Sequence, residues 1–111
     1  AAAAYRAALD AWPDHPTVQF ALANNYLRQN NPVGAASLYQ RILAGDPHHV
    51  AAANNLAEAL ARQGDLEQAL AVIQAAVITA EQIRSPLLEA IHETRQEIAQ
   101  ALQEKNAVSA F

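Results

Sequence analysis

The sequence predicts an all-α fold: an α-α superhelix of antiparallel helix pairs closed by a C-terminal capping helix. Residues recur at a single offset of 34, apolar positions keep helical spacing along the chain, and Asn, Gly and Pro fall where helices should start and stop. At that offset Tyr5 matches Tyr39, Leu9 matches Leu43 and Pro13 matches Pro47. Leu22 and Ala23 match Leu56 and Ala57, Arg28 matches Arg62, and Ala35 matches Ala69. Self-similarity at such a period is the mark of stacked helical units, none of which buries its apolar face alone.

Each element follows from local chemistry. AAAAYRAALDAW, in residues 1–13, matches only the second half of the unit, so the chain opens in mid-repeat. Residues 16–30 carry Val18, Leu22, Tyr26 and Leu27 on one helical face. Asn31-Pro32 starts the next helix, with an Asn cap and a proline where a missing N–H costs nothing. That helix runs through Leu38, Tyr39, Ile42 and Leu43 to a stop at Gly45-Asp46-Pro47. Its successor spans 49–63, with Leu56 and Leu60 inward, Gly64 as a left-handed stop and Asp65 as the following cap. A helix over 66–83 places Leu70, Ile73, Ala76 and Val77 inward. Ser85-Pro86 is predicted to cap a last helix over 85–105, with Leu88, Ile91, Ile98 and Leu102 as its apolar row. Glu89, Glu93 and Glu97 make a like-charged row at i, i+4, read as a solvated face, and residues 106–111 as a frayed tail.

Composition narrows the function. The 111 residues suit a single domain, and with six aromatics the core must come from close helix approach through alanine, which favours an elongated shape. Eleven acidic against seven basic residues give a charge of −4, and the basic ones are spread over positions 6, 28, 41, 62, 84, 95 and 105. Nucleic-acid modules concentrate basic charge on one face, so nucleic acid is not expected as a partner. No apolar run reaches the ~20 residues that span a bilayer, so no membrane insertion is expected. The absence of cysteine removes disulfides, thiolate metal sites and a Cys nucleophile. The absence of methionine predicts a piece of a longer protein, which leaves compartment open.

The quoted residues resemble the tetratricopeptide repeat, a 34-residue helix–turn–helix unit. Leu22-Ala23 with Tyr26, and Leu56-Ala57 with Leu60, stand for its Leu–small–aromatic signature on the first helix. Ala35, Tyr39 and Ile42, then Ala69, Ile73 and Ala76, stand for the signature on the second; Pro13 and Pro47 close units. The resemblance covers residues 1 to about 80 as half a repeat and two full ones, over 16–47 and 48–83. Ile42 is larger than the usual alanine and should push neighbouring helices slightly apart. Glu81 stands where a third closing proline would be, so the helix over 66–83 should run long. The last helix lacks the signature and reads as the cap that a repeat stack requires.

That resemblance implies a protein-interaction scaffold whose first helices line a concave groove for a peptide segment or partner helix. The groove-facing candidates are Phe20, Asn24, Leu27 and Arg28 from one repeat, and Asn54, Asn55, Glu58 and Arg62 from the other. In relatives that grip extended peptides, asparagines at matching places bond the ligand backbone; here these are Asn24 and Asn55. An amide carries donor and acceptor together, so it reads a peptide group without reading sequence. Arg28 and Arg62 could receive a carboxylate or simply lie along their helices in solvent. Phe20 stands where the chaperone-binding subset carries a lysine, so heat-shock tails are not the expected ligand and the ring is read as an apolar contact.

Little points to chemistry. His48 and His49 are adjacent in a turn, His15 and His92 read as surface residues, and no metal-ligand spacing or phosphate loop occurs. Ser37, Ser85 and Ser109 lack a nucleophile signature, so no catalysis and no cofactor are expected. Trp12, ahead of Pro13, is predicted to pack under the following helix. Two alternatives stand beside the scaffold: a structural or regulatory tail of a larger enzyme, and a self-association module. YRAALDAWPDHP, the NNLA repeat and the Ser-Pro-Leu-Leu helix are similar to C-terminal repeats of some bacterial cysteine peptidase-like proteins. An exposed edge at the terminal helices would allow a homodimer.

Overall fold

A computed structural model describes residues 2–109 and contains six helices in chain order: α1 (Ala2–Ala11), α2 (Pro16–Arg28), α3 (Pro32–Gly45), α4 (Val50–Arg62), α5 (Leu66–Ile83) and α6 (Leu88–Ser109). Every helix packs on the next one in sequence, so the chain forms a stack of antiparallel neighbours. Beyond those neighbours, the backbones of α2 and α4 and of α4 and α6 approach closely, whereas among the described residues the α3 backbone approaches neither α1 nor α5. The helices α2, α4 and α6 therefore crowd the short inner side of a curved stack, and α3 and α5 occupy the longer outer side. The radius of gyration is 14.7 Å, above the about 13 Å of a compact domain of this length, and the extents are 51 × 32 × 19 Å. Small side chains give a thin, extended core.

That core alternates close approach with filling. Ala23, Ala35, Ala52, Ala57, Ala59, Ala69 and Ala80 are fully buried where helix backbones come nearest. Leu22, Tyr39, Ile73 and Ile91 are the largest side chains closed off from solvent, and they fill the space between successive pairs. The matched pairs Ala23/Ala57, Ala35/Ala69 and Tyr39/Ile73 are buried in both copies, which is how a repeat in sequence becomes a repeat in packing. Ile91 and Ile98 carry the core onto α6, while Glu89, Glu93 and Glu97 are exposed to solvent along it.

Three helices end in the same way. The Asn31, Asp65 and Ser85 amides donate to the carbonyls of Tyr26 (2.8 Å), Leu60 (3.0 Å) and Ala80 (2.9 Å), each five residues back. The residue before each donor is left-handed: Asn30 at φ 59°, Gly64 at φ 83° and Arg84 at φ 53°. This six-to-one closure satisfies carbonyls that the helix end would orphan, and glycine adopts it without a Cβ penalty. Asn30 and Gly64 are one repeat apart; Arg84 is not, because α5 runs on past the Pro13 and Pro47 register to Ile83.

Helix starts vary more. Asn31 Oδ1 accepts from the Gly34 amide at 3.1 Å, as the Asn-Pro signal predicts. A Cβ on Gly34 would lie 2.9 Å from Asn31 Nδ2 and 3.1 Å from the Tyr26 ring, so glycine lets cap and ring close over the first turn. At α4 the cap is His49, whose Nδ1 accepts from the Ala52 amide at 3.1 Å. Asp65, the predicted cap of α5, makes no side-chain bond to that helix. Ser85-Pro86 does not begin α6: Ser85 Oγ accepts from the Leu87 amide at 3.1 Å in a turn, and the helix starts at Leu88. At the other end α6 continues through the predicted tail to Ser109, and residues 110 and 111 lie outside the described residues. Trp12 does not pack under α2 and is 62% exposed. What anchors that turn instead is the Pro13 carbonyl, which accepts from Gln19 Nε2 at 2.7 Å and from Arg41 on α3 at 3.2 Å.

Candidate functional site

On the inner side, α2 and α4 enclose a cleft of about 260 Å³. Asn24, Leu27 and Arg28 line it from α2 at i, i+3 and i+4; Asn55, Glu58 and Arg62 line it from α4 at i, i+3 and i+7. Helical spacing explains both sets, since residues three, four and seven apart share a face.

The floor of the cleft is a hydrogen-bonded cluster. Asn24 Oδ1 accepts from the buried Tyr39 hydroxyl of α3 and from Asn55 Nδ2 at 3.1 Å. Two donors on one oxygen fix which way the Asn24 amide faces. That leaves Asn24 Nδ2 as a donor and Asn55 Oδ1 as an acceptor, neither with a hydrogen-bond partner among the described residues. Burial pushes the Tyr39 hydroxyl up to about 12, against the lowering pull of the nearby Asn55 amide. It stays a neutral donor under ordinary conditions, and its service is to hold Asn24.

The two arginines differ. Arg62 donates from Nη1 to the Leu27 carbonyl at 2.9 Å and from Nη2 to Glu58 Oε1 at 3.2 Å. It is a strut from α4 to the C-terminal end of α2, where a cation also meets the negative pole of the helix. Arg28 is exposed on the rim with no ion-pair partner among the described residues.

Phe20 and Asn54 fall outside the cleft lining. The Phe20 ring packs edge-on to Tyr39 (centroids 6.0 Å, 62°) and beside the His49 ring at 5.2 Å. It braces the start of α4 and remains partly exposed. Asn54, one repeat after Phe20, is half-buried, with Oδ1 shut off from solvent and without a partner among the described residues. The repeat pattern places Tyr39 in the core without assigning its hydroxyl a partner. The signal was there: Tyr where Phe would pack alike, a polar tip that must find a partner when buried.

Consecutively stacked helix pairs with a polar cleft on the inner side define a helical-repeat scaffold. The Tetratricopeptide repeat family model matches residues 1–48 and again 20–84, and the chain belongs to that family. No curated protein matches the chain. Tetratricopeptide repeats serve in general as protein–protein interaction scaffolds and are typically non-catalytic. Among the described residues no helix is long and apolar enough to cross a membrane.

Proposed function

We propose that the α2–α4 cleft binds an extended peptide segment of a partner protein. The observation that carries this reading is the unspent polar pair lining the cleft: a donor at Asn24 Nδ2 and an acceptor at Asn55 Oδ1, on two amides bonded to each other, with Asn24 also held by Tyr39. A peptide group offers the complementary acceptor and donor, so the pair takes up main chain of any sequence. Arg28, on the rim, adds a cation for a ligand carboxylate. Leu27, which is buried, supplies apolar wall. Arg62 belongs to the frame of the cleft, and its loss would disturb the α2–α4 contact itself.

The test is binding to an array of immobilised random dodecapeptides by the wild type and by an Asn24→Ala/Arg28→Ala variant with unchanged helicity. Loss of most bound spots in the variant is expected. Equal binding by the two proteins would remove the cleft from any recognition role.

Self-association is a second reading, favoured by Trp12, which stands 62% exposed beside Ala11, Pro13 and His15. Light scattering is then expected to show a mass that rises with concentration and stops doing so in Trp12→Ala. A constant monomer mass would dismiss this reading.

A further inference from the structure

The cleft does not end at α4. Its next station lies between α4 and α6, a smaller pit of about 150 Å³ that shares Glu58 with the first. One repeat on, Asn24 becomes Glu58 and Leu27 becomes Ala61, so the amide is replaced by a carboxylate and the bulky wall by a methyl. Ala61, Leu66, Ile98 and Ala101 make the pit apolar, with Ile98 buried as its floor. Glu58, Glu97 and Thr94 complete the lining, the Thr94 hydroxyl being bonded to the Ala90 carbonyl of its own helix. Glu58 is already bonded to Arg62, while Glu97 is exposed and pairs with no cation among the described residues.

We propose that this pit receives an aliphatic side chain flanked by a lysine or arginine, and so sets the sequence preference of the bound segment. The inference rests on the peptide-binding reading above, in which the first station holds only main chain. The volume of the pit is that of a benzene-sized group, which suits a Leu, Ile or Val side chain. Charge complementarity selects the neighbour. An acidic flanking residue would meet Glu58 and Glu97, and Glu89 and Glu93 extend the same sign along α6; a basic one would find Glu97 unpaired. Successive stations follow helices packed roughly 8–10 Å apart. An extended chain advances about 3.3 Å per residue, so the aliphatic residue lies about three positions from the peptide group that the asparagines hold.

The experiment uses the same array, read for composition as well as intensity, with two further variants. Glu97→Lys reverses an exposed rim charge and leaves the core untouched; Ala61→Leu fills the pit. Wild type is expected to enrich spots that carry Leu, Ile or Val next to Lys or Arg. For the best such peptide, measured in solution by fluorescence anisotropy, Glu97→Lys is expected to weaken binding about tenfold at low salt and to shift enrichment toward Asp or Glu at the flanking position. Ala61→Leu is expected to erase the aliphatic preference while Asn24-dependent binding persists. Peptides that bind through Asn24 with no aliphatic-basic preference, or with a preference that Glu97→Lys leaves unchanged, would overturn the pit and spare the first station. If no peptide bound at all, both readings would fall.

Discussion

Arg84 carries the clearest local strain. At φ 53° and ψ 50° it occupies the left-handed region where a Cβ costs about 1–2 kcal/mol, in a closure that Gly64 makes freely at the end of α4. Arg84→Gly relieves that cost and gives back part of it as extra freedom in the unfolded chain, so a net gain of roughly 0.5–1 kcal/mol is expected from urea denaturation. A neutral or destabilising result would mean that the arginine side chain stabilises the turn in some other way. Tyr39 gives a prediction in pH. Its hydroxyl is raised from 10.0 to about 12 by burial, so the folded protein holds that proton more tightly than the unfolded chain does. The contribution is therefore complete below about pH 10 and is lost as pH rises through about 12. Tyr39→Phe is expected to cost about 1 kcal/mol at neutral pH, through the lost bond to Asn24, and to flatten the alkaline decline. An alkaline decline as steep in the variant would assign it to other groups. Signals that a single residue type supplies, such as Asn31-Pro32 and Gly64, were legible in the sequence. His49 was not, because a ring nitrogen caps a helix only once the backbone has placed it within reach of the Ala52 amide.

At the scale of elements, small residues decide how near the helices come. Ala57 is fully buried in the middle of α4, between the helices that flank it. Ala57→Leu keeps helix propensity and forces those helices apart, so a loss of about 1–3 kcal/mol is expected with little change in circular dichroism. A loss below measurement would show that the crossing has room and would weaken the close-approach account of the core. Element types were legible because the 34-residue offset repeats the pattern for helices α1 to α5. The boundaries of α6 were not. Counting 34 on from Val50, the start of α4, reaches 84, four residues short of Leu88, because the left-handed Arg84 and the Ser85-Pro86 turn intervene. Out of register, α6 brings Glu97, Ile98 and Ala101 to the groove, and no sequence match could have pointed to them.

For the whole molecule, an open stack exposes one continuous inner surface whose lining changes from the α2–α4 cleft to the α4–α6 pit. One repeat on from Asn24 and Leu27 stand Glu58 and Ala61, so the amide-lined cleft is followed by a more apolar, acid-rimmed pit. Six of the eight residues expected in the groove do line the first station; which ones are spent on the frame took tertiary geometry to see, Arg62 above all. The decisive measurement is an NMR titration of the isotopically labelled protein with the strongest peptide from the array. The account predicts that perturbed signals concentrate on α2, α4 and the α6 face of the pit, including the side-chain amides of Asn24 and Asn55, and leave the outer faces of α3 and α5 unmoved. Perturbation confined to α3 and α5, with those two amides silent, would contradict it.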